Sequence, residues 1–298
     1  MMVERRSIQA GGRRLSYLEK GRRVAGEPSL VVIHGLMGTA ATFLPLLAEI
    51  AEDRHVIALD LPGAGGSERD PPRAKNSKSG ASLAAVTESV LKALDALELE
   101  RPVLVGHSHG GSVSMYLAGI APQRTSGLVL IAPAHPYFRH ADQLIGFYLS
   151  PLGKVFAHTL PWYPQWVQMA GLRRMAGPKS WDSPERLVPY RENLRTRGTI
   201  PHLLKLLRTW HTDMAELRAL LECPFRTPTM LIWGDHDRAV PASTAENLMR
   251  RLPRGDLRVF EGVGHRPAEE RPKLTAAVIE EWLGDTVAIR QEKLRRFV

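Results

Sequence analysis

Val103-Leu104-Val105-Gly106-His107-Ser108-His109-Gly110-Gly111-Ser112 is the stretch from which the rest of this sequence is read. Its opening apolar run has the composition of a short strand buried on both faces. From His109 onward the spacing is helical, and between strand and helix lies Gly-x-Ser-x-Gly. A chain that turns this sharply forces the central serine into an unfavourable backbone conformation. Glycines on either side remove side chains that would collide there. The bare pentapeptide is common in ordinary turns; the flanking strand and helix make Ser108 the candidate nucleophile.

A serine hydroxyl attacks poorly until a base takes its proton, so the motif requires a histidine and usually a carboxylate to hold that histidine's tautomer. Both should follow the serine, acid first. Trp233-Gly234-Asp235-His236-Asp237 ends one apolar run and Gly262-Val263-Gly264-His265 follows another, at Leu257 to Phe260. His265 is therefore the candidate base and Asp237 the candidate acid. Asp235 competes for the acid role, but it directly follows the turn glycine, where a carboxylate often only caps local backbone N–H groups. The developing oxyanion needs two backbone amides aimed at one point. His109 supplies one at its helix N-terminus, and Leu36, in His34-Gly35-Leu36-Met37-Gly38, is the choice for the other. His34 itself is expected to tie down that loop by hydrogen bonds.

Working outward, alternating segments at Val3 to Gln9 and Arg14 to Glu19 flank Gly11-Gly12 and predict an opening antiparallel hairpin. Apolar runs at Leu30 to Ile33, Val56 to Leu59 and Val103 to Val105 are spaced like strands of a buried parallel sheet. Leu83, Val86, Val90, Leu94 and Leu97 fall on one helical face and predict a crossover helix. A helix ending near Pro122 and strands at Leu128 to Ile131, Thr229 to Trp233 and Leu257 to Phe260 continue the alternation. The interval from about Ala134 to Glu222 breaks it: proline-punctuated, helical at Leu203 to Leu207 and Met214 to Leu221, and carrying Trp162, Trp166, Trp181 and Trp210. The expectation is a core of residues 1–133 and 223–298, with 134–222 inserted as a helical cap whose apolar underside roofs a pocket. Those aromatics would equally serve as the insert's own core. Asp70 to Ser82 predicts a surface loop.

Composition narrows the classes. With 44% apolar and 24% charged residues the chain is an ordinary globular one, neither disordered nor fibrous. The net charge of +9 is scattered rather than gathered with aromatics into a patch, which argues against nucleic-acid binding. The single cysteine, Cys223, requires no oxidising compartment. Met1 to Ala10 has no uninterrupted apolar stretch, and no segment is long and apolar enough to span a bilayer. A cytoplasmic protein without stable membrane insertion is expected. The tail after Gly284, basic at Arg290, Lys293, Arg295 and Arg296, predicts a solvated helix, with a dimer contact or an anionic-surface contact as alternatives. Oligomeric state is not legible.

Together, His34-Gly35, Asp60-Leu61-Pro62-Gly63, Gly106-His107-Ser108-His109-Gly110-Gly111, Trp233-Gly234-Asp235-His236-Asp237 and Gly264-His265 resemble the α/β-hydrolase superfamily, in particular members with a helical cap after the sixth strand. The resemblance spans nearly the whole chain outside the cap. It implies an α/β fold with an eight-stranded, mostly parallel sheet and helices on both faces. It also supports Asp237, because the family's acid commonly sits three residues after the glycine ending the seventh strand. Haloalkane dehalogenases and epoxide hydrolases of this fold use an aspartate where Ser108 stands, which disfavours those activities. The meta-cleavage-product hydrolases usually carry Asn before the nucleophile and Trp after the catalytic histidine; here His107 and Arg266 stand there. His-Ser-His-Gly-Gly is shared with some lipases and esterases.

The chemistry expected is hydrolysis of a carboxylic ester or related acyl bond through an acyl-enzyme, on a small, largely apolar acyl substrate, with no metal or organic cofactor. One rival is C–C bond hydrolysis of a keto acid, motivated by Arg173, Arg174, Arg191 and Arg195, which could grip a carboxylate. The other is a non-catalytic binding protein on the same scaffold.

Overall fold

Gly11 and Gly12, both at positive φ (58° and 80°), turn β1 (Glu4–Ala10) back onto β2 (Arg13–Lys20) as an antiparallel pair. The computed structural model describes residues 2–69, 80–138, 141–178, 183–252 and 255–295, with side chains described up to residue 285 except that of residue 141. Most of the expected loop at 70–82, Trp181 and the basic tail's side chains lie outside the described residues.

The remaining strands are β3 (Leu30–Ile33), β4 (Val56–Leu59), β5 (Val103–His107), β6 (Gly127–Ile131), β7 (Thr229–Gly234) and β8 (Gly255–Phe260). They form one eight-stranded sheet in the order β1-β2-β4-β3-β5-β6-β7-β8, parallel from β4 through to β8. Each parallel crossover needs a helix. The helices are α1 (Leu44–Glu49), α2 (Leu83–Ala96), α3 (His109–Ile120), α4 (Ala141–Leu149), α5 (Pro151–Thr159), α6 (Gln165–Met175), α7 (Val188–Arg195), α8 (Thr199–Glu222), α9 (Ala245–Met249), α10 (Pro267–Glu270) and α11 (Pro272–Arg295).

The period of two along each strand sorts its side chains onto two faces. Val31, Ile33, Leu104 and Leu130 pack in one cluster with Val86 and Val90 of α2 and Leu217 of α8. Leu30, Val32, Val105 and Ile131 pack in a second cluster with Leu46 of α1 and Ile279 of α11. Both faces are thus covered, which is why the strands read as unbroken apolar runs. Each such side chain contributes roughly 1.5–3 kcal/mol of burial. The crossover-helix residues Leu83, Val86, Val90, Leu94 and Leu97 are all buried, and Ser82 caps that helix by accepting from the Ala85 amide.

Helices α4 to α8 occupy the chain between β6 and β7. Sequence spacing marks two helical pieces in its last part, whereas the structure has one 24-residue helix, α8. Neither proline nor glycine separates the pieces. The buried Asp213 between them is satisfied within the helix by the Thr209 hydroxyl one turn earlier, at 2.7 Å. Among the described residues no helix is long and apolar enough to cross a membrane.

Candidate active site

The strand order reverses between β3 and β5: the chain leaves β3 for β4 on one side and later returns to β5 on the other. Loops leaving the carboxyl ends of these two strands part there and open a crevice. The loop after β3 holds His34 to Gly38, and β5 ends on His107, directly before Ser108. The loops after β7 and β8, which carry Asp237 and His265, leave the same edge of the sheet.

Ser108 has φ 51° and ψ −118°, a conformation that costs a non-glycine residue about 1–3 kcal/mol. Its neighbours hold it there. The Ser108 amide donates to Ile131 O (3.0 Å), and its carbonyl accepts from Gly111 (2.9 Å) and Ala134 (2.9 Å). The motif's glycines are required by close approach. A Cβ on Gly110 would lie 2.1 Å from Ile33 O, and one on Gly106 would lie 2.4 Å from Gly110 O.

His265 Nδ1 lies 2.8 Å from Asp237 Oδ2. The other Asp237 oxygen accepts from the amides of Ala239 (2.8 Å) and Val240 (2.9 Å), so a turn locks this buried carboxylate in place. Since a carboxylate only accepts, the histidine proton sits on Nδ1 and leaves Nε2 as the basic atom. Asp235 is occupied elsewhere, with His236 Nδ1 (2.8 Å) and the Val263 amide (3.3 Å).

Ser108 and His265 are linked through His107. Its Nε2–H donates to the His265 carbonyl (2.8 Å), and the two rings lie 4.9 Å apart. Burial first, then the neighbouring His265, holds His107 well below the ordinary histidine value, so the ring is a neutral strut. Among the described residues the Ser108 hydroxyl forms no hydrogen bond; such contacts commonly tighten only when substrate is bound.

The His265 loop is also fastened to the insert. The His265 amide donates to Met175 O at the end of α6 (2.8 Å). Glu270 Oε2 accepts from Gly264 (2.8 Å) and Gly177 (2.9 Å), and its Oε1 from Arg266 (3.0 Å). One buried carboxylate thus holds the amides of the residues on either side of His265 and a segment of the insert. Beside it, Glu269 accepts from the Tyr190 hydroxyl (2.5 Å), and burial pushes its pKa up to about 7 despite Arg266 nearby.

In the loop after β3, His34 donates from Nδ1 to Gly35 O (2.8 Å) and accepts at Nε2 from the Leu61 amide (3.0 Å). Asp60, fully buried, accepts from Ala40, Gly66 and Arg5, so the Asp60-to-Gly63 motif is an anchor for that loop. Met37 stands at φ 63°. Asn193, from α7, donates to the carbonyls of Met37 (2.9 Å) and Gly38 (3.2 Å) and accepts from Gly65 (2.9 Å). The amides of Leu36 and His109 enter no hydrogen bond among the described residues.

Leu36, Met37, Val86, Leu203, Leu206 and the His109 ring line a narrow cavity beside this loop, about 20 Å³ in volume. That is room for about one water. Burial pushes His109 down to about 4, so its ring is neutral, and neither nitrogen has a partner among the described residues. Neither Ser108 nor His265 is in the narrow cavity's lining, but Leu36 and His109, the residue after Ser108, are. A roomier cleft of about 500 Å³, lined by Tyr137, Arg218, Arg250 and Arg251, has no residue of the sequence motifs in its wall. Chemistry rather than space therefore picks the narrower one.

His107, Asn193 and Glu270 escaped the sequence reading. His107 lies inside the motif, but nothing in a sequence says which way its ring turns. Glu270 reaches back from the first turn of α10 to the amide of its N-cap, Arg266, much as a capping box does one residue earlier. That was a usable signal. Asn193 carried none.

Parallel strands wound on both faces, with a serine at a sharp strand-to-helix turn on their carboxyl edge, define a hydrolase scaffold. The chain belongs to the alpha/beta hydrolase fold family, whose model matches residues 28–272. It is 32% identical over 273 residues to the dihydrolipoyllysine-residue acetyltransferase component of an acetoin cleaving system of Pseudomonas putida, covering 86% of this chain. The chain spans only 63% of that relative's length. A monoacylglycerol lipase of Homo sapiens is 22% identical, over 88% of this chain and 77% of its own. Among solved structures, a haloalkane dehalogenase loop variant from Bradyrhizobium elkanii superposes with a TM-score of 0.79 at 18% identity, covering 98% of this chain and 100% of that one. At that identity the likeness speaks for the fold alone.

Proposed function

We propose that this hydrolase-family chain cleaves a carboxylic ester, or a related acyl bond, with Ser108 as nucleophile, His265 as general base and Asp237 as the orienting acid. The observation that carries the proposal is the 2.8 Å contact of His265 with Asp237, on a loop tied through His107 to the strained Ser108. His265 Nε2 takes the hydroxyl proton as Ser108 Oγ attacks the carbonyl carbon. The amides of Leu36 and His109 receive the oxyanion, and Asp237 stabilises the imidazolium. The imidazolium then protonates the leaving alcohol, and water repeats the sequence on the acyl-enzyme.

Residues 134–222 act in this proposal as a cap over a core of 1–133 and 223–298. Supporting this, Asn193 and Met175 of the insert bond the loops bearing Leu36 and His265. The apolar members of the cavity support a largely apolar acyl group, whereas His109 calls for a polar atom near the reacting bond. The names of two relatives, an acetyltransferase component and a monoacylglycerol lipase, are both of acyl chemistry. A cytoplasmic location accords with one cysteine, exposed and unbridged.

A keto-acid substrate would need a cation facing the pocket. Of the arginines that motivated that reading, Arg195 bonds Pro161 O (2.9 Å) and stacks on Trp162, and Arg173 and Arg174 are exposed in the last turn of α6. The test is turnover of a graded series of aryl esters by wild type and Ser108→Ala side by side. Loss of turnover in the variant is expected, and retained turnover would overturn the serine mechanism.

A further inference from the structure

Six of the twelve exposed large apolar side chains among the described residues fall within one short part of the insert: Leu144, Phe147, Leu152, Val155, Trp162 and Trp166. The other six are scattered singly along the chain, which is normal for a soluble surface. Leu144 and Phe147 are three apart on α4, and Leu152 and Val155 are three apart on α5. Each helix therefore turns one apolar strip to solvent. Trp162 and Trp166 are 67% and 73% exposed, although burying a tryptophan is among the larger gains a fold can make.

The elements that carry these side chains pack against one another. Phe156 of α5 packs on Phe147 of α4 at 5.8 Å between ring centroids and on Tyr163 at 5.8 Å. Gln168 of α6 donates to the carbonyls of Pro161 and Tyr163, which ties Trp166's helix to the turn bearing Trp162. The Arg195 guanidinium lies 4.8 Å over the Trp162 ring.

Charge selects the occupant. From Gln143 to Pro178 the sequence contains no aspartate or glutamate, although the chain carries 31 among its 298 residues. The same stretch contains Lys154, Arg173 and Arg174, and the two arginines are exposed on α6 seven and eight residues after Trp166, on its face of the helix. A second copy docking by this face would set these cations against each other under two-fold symmetry. Exposed indoles beside arginines, on short amphipathic helices whose one carboxylate is Asp142 in the first turn of α4, suit a surface that is apolar beneath and anionic on top.

We propose that α4, α5 and α6 form a docking face for an anionic phospholipid surface, onto which this chain settles reversibly. The tryptophans and leucines enter the headgroup boundary while Lys154, Arg173 and Arg174 meet lipid phosphates. The face belongs to the same insert that bonds the loops of Leu36 and His265, so docking would bring the site to where ester-bearing lipids lie.

The test is co-sedimentation of the full chain with vesicles of phosphatidylcholine alone or mixed with phosphatidylglycerol, at low and high salt, for wild type, Trp162→Ser/Trp166→Ser and Arg173→Gln/Arg174→Gln. Wild type should sediment with the anionic vesicles and be released by salt. The tryptophan pair should weaken partitioning at least about tenfold, and each arginine removed should weaken it about fivefold. Unchanged melting temperatures establish that the variants fold. The sedimentation readout does not depend on catalysis, so it stands apart from the esterase proposal. Wild type remaining in the supernatant, or the tryptophan variant partitioning like wild type, would overturn the proposal. So would a dimer in light scattering that the tryptophan substitutions disperse, which would assign the face to a second copy.

Discussion

His265 Nδ1 sits 2.8 Å from Asp237 Oδ2, while the neighbouring carboxylate of Asp235 is turned toward His236 and the Val263 amide. Two aspartates separated by one residue thus have different partners. An ordering acid keeps the imidazole in the tautomer that presents Nε2 as base. Asp237→Asn should lower kcat on an aryl ester by about 10⁴-fold. Asp235→Asn should leave it within about threefold, as suits a group outside the proton path. Equal losses in the two variants would reassign the acid.

Asn193 predicts a dependence of catalysis on a residue distant in sequence from every motif. Its side-chain amide holds the carbonyls of Met37 and Gly38, one and two residues beyond Leu36, whose amide is the proposed oxyanion donor. Asn193→Ala should lower kcat about ten- to a hundredfold with little change in KM, because an oxyanion donor acts mainly in the transition state. Asn193→Asp should be worse, since it places a carboxylate oxygen against those carbonyls. A change confined to KM would mean that Asn193 shapes binding rather than the oxyanion site.

Glu270 accepts three backbone amides, two of them flanking His265. In Glu270→Gln one of the accepting oxygens becomes an NH₂ group facing N–H donors. The expected cost is about 1–3 kcal/mol of stability from the donors left unpaired, seen as a lower melting temperature, together with a fall in kcat. Wild-type melting and turnover in this variant would remove Glu270 from any role in setting the base.

Acid should destabilise the fold through buried neutral histidines. His135 Nε2 lies 3.0 Å from the Thr244 hydroxyl, which is itself spent donating to Pro241 O, so the ring donates from Nε2. Burial pushes His135 from 6.5 to about 4. Because the folded pKa is the lower one, the unfolded chain takes up the proton first. Stability is therefore fully present above pH 6.5 and is lost as pH falls toward 4, by up to about 3 kcal/mol for such a group. His135→Gln keeps a donor for Thr244 without a titrating group. Its melting temperature should fall less steeply than wild type's between those pH values, and parallel curves would count against this account.

Much of the fold was legible because local chemistry repeats it. Unbroken apolar runs such as Leu30 to Ile33 arise only where both faces are covered, and Gly11-Gly12 has few uses besides a tight turn. The strand ends, the crossover helix and the place of Ser108 on its elbow follow from such rules. The continuity of α8 did not, since a polar stretch around Asp213 looks like an interruption until its bond to Thr209 is seen.

The sequence by itself determined the sheet, the elbow and the identities of Ser108, Asp237 and His265 as candidates, because each is marked by residues adjacent to it in the chain. Only the tertiary structure decided that Asp237 rather than Asp235 meets His265, that His107 is a strut to the His265 carbonyl and that Asn193 and Glu270 bind the insert to the loops of Leu36 and His265. The tryptophans at 162 and 166 read in sequence as the roof of a pocket or as the insert's own core, and the structure turns them to solvent. The physical reason is common to all of these. Backbone conformation and burial period are local properties, written in neighbouring residues. Which way a side chain turns, and which distant amide it meets, depends on the packing of elements that the chain brings together only when folded.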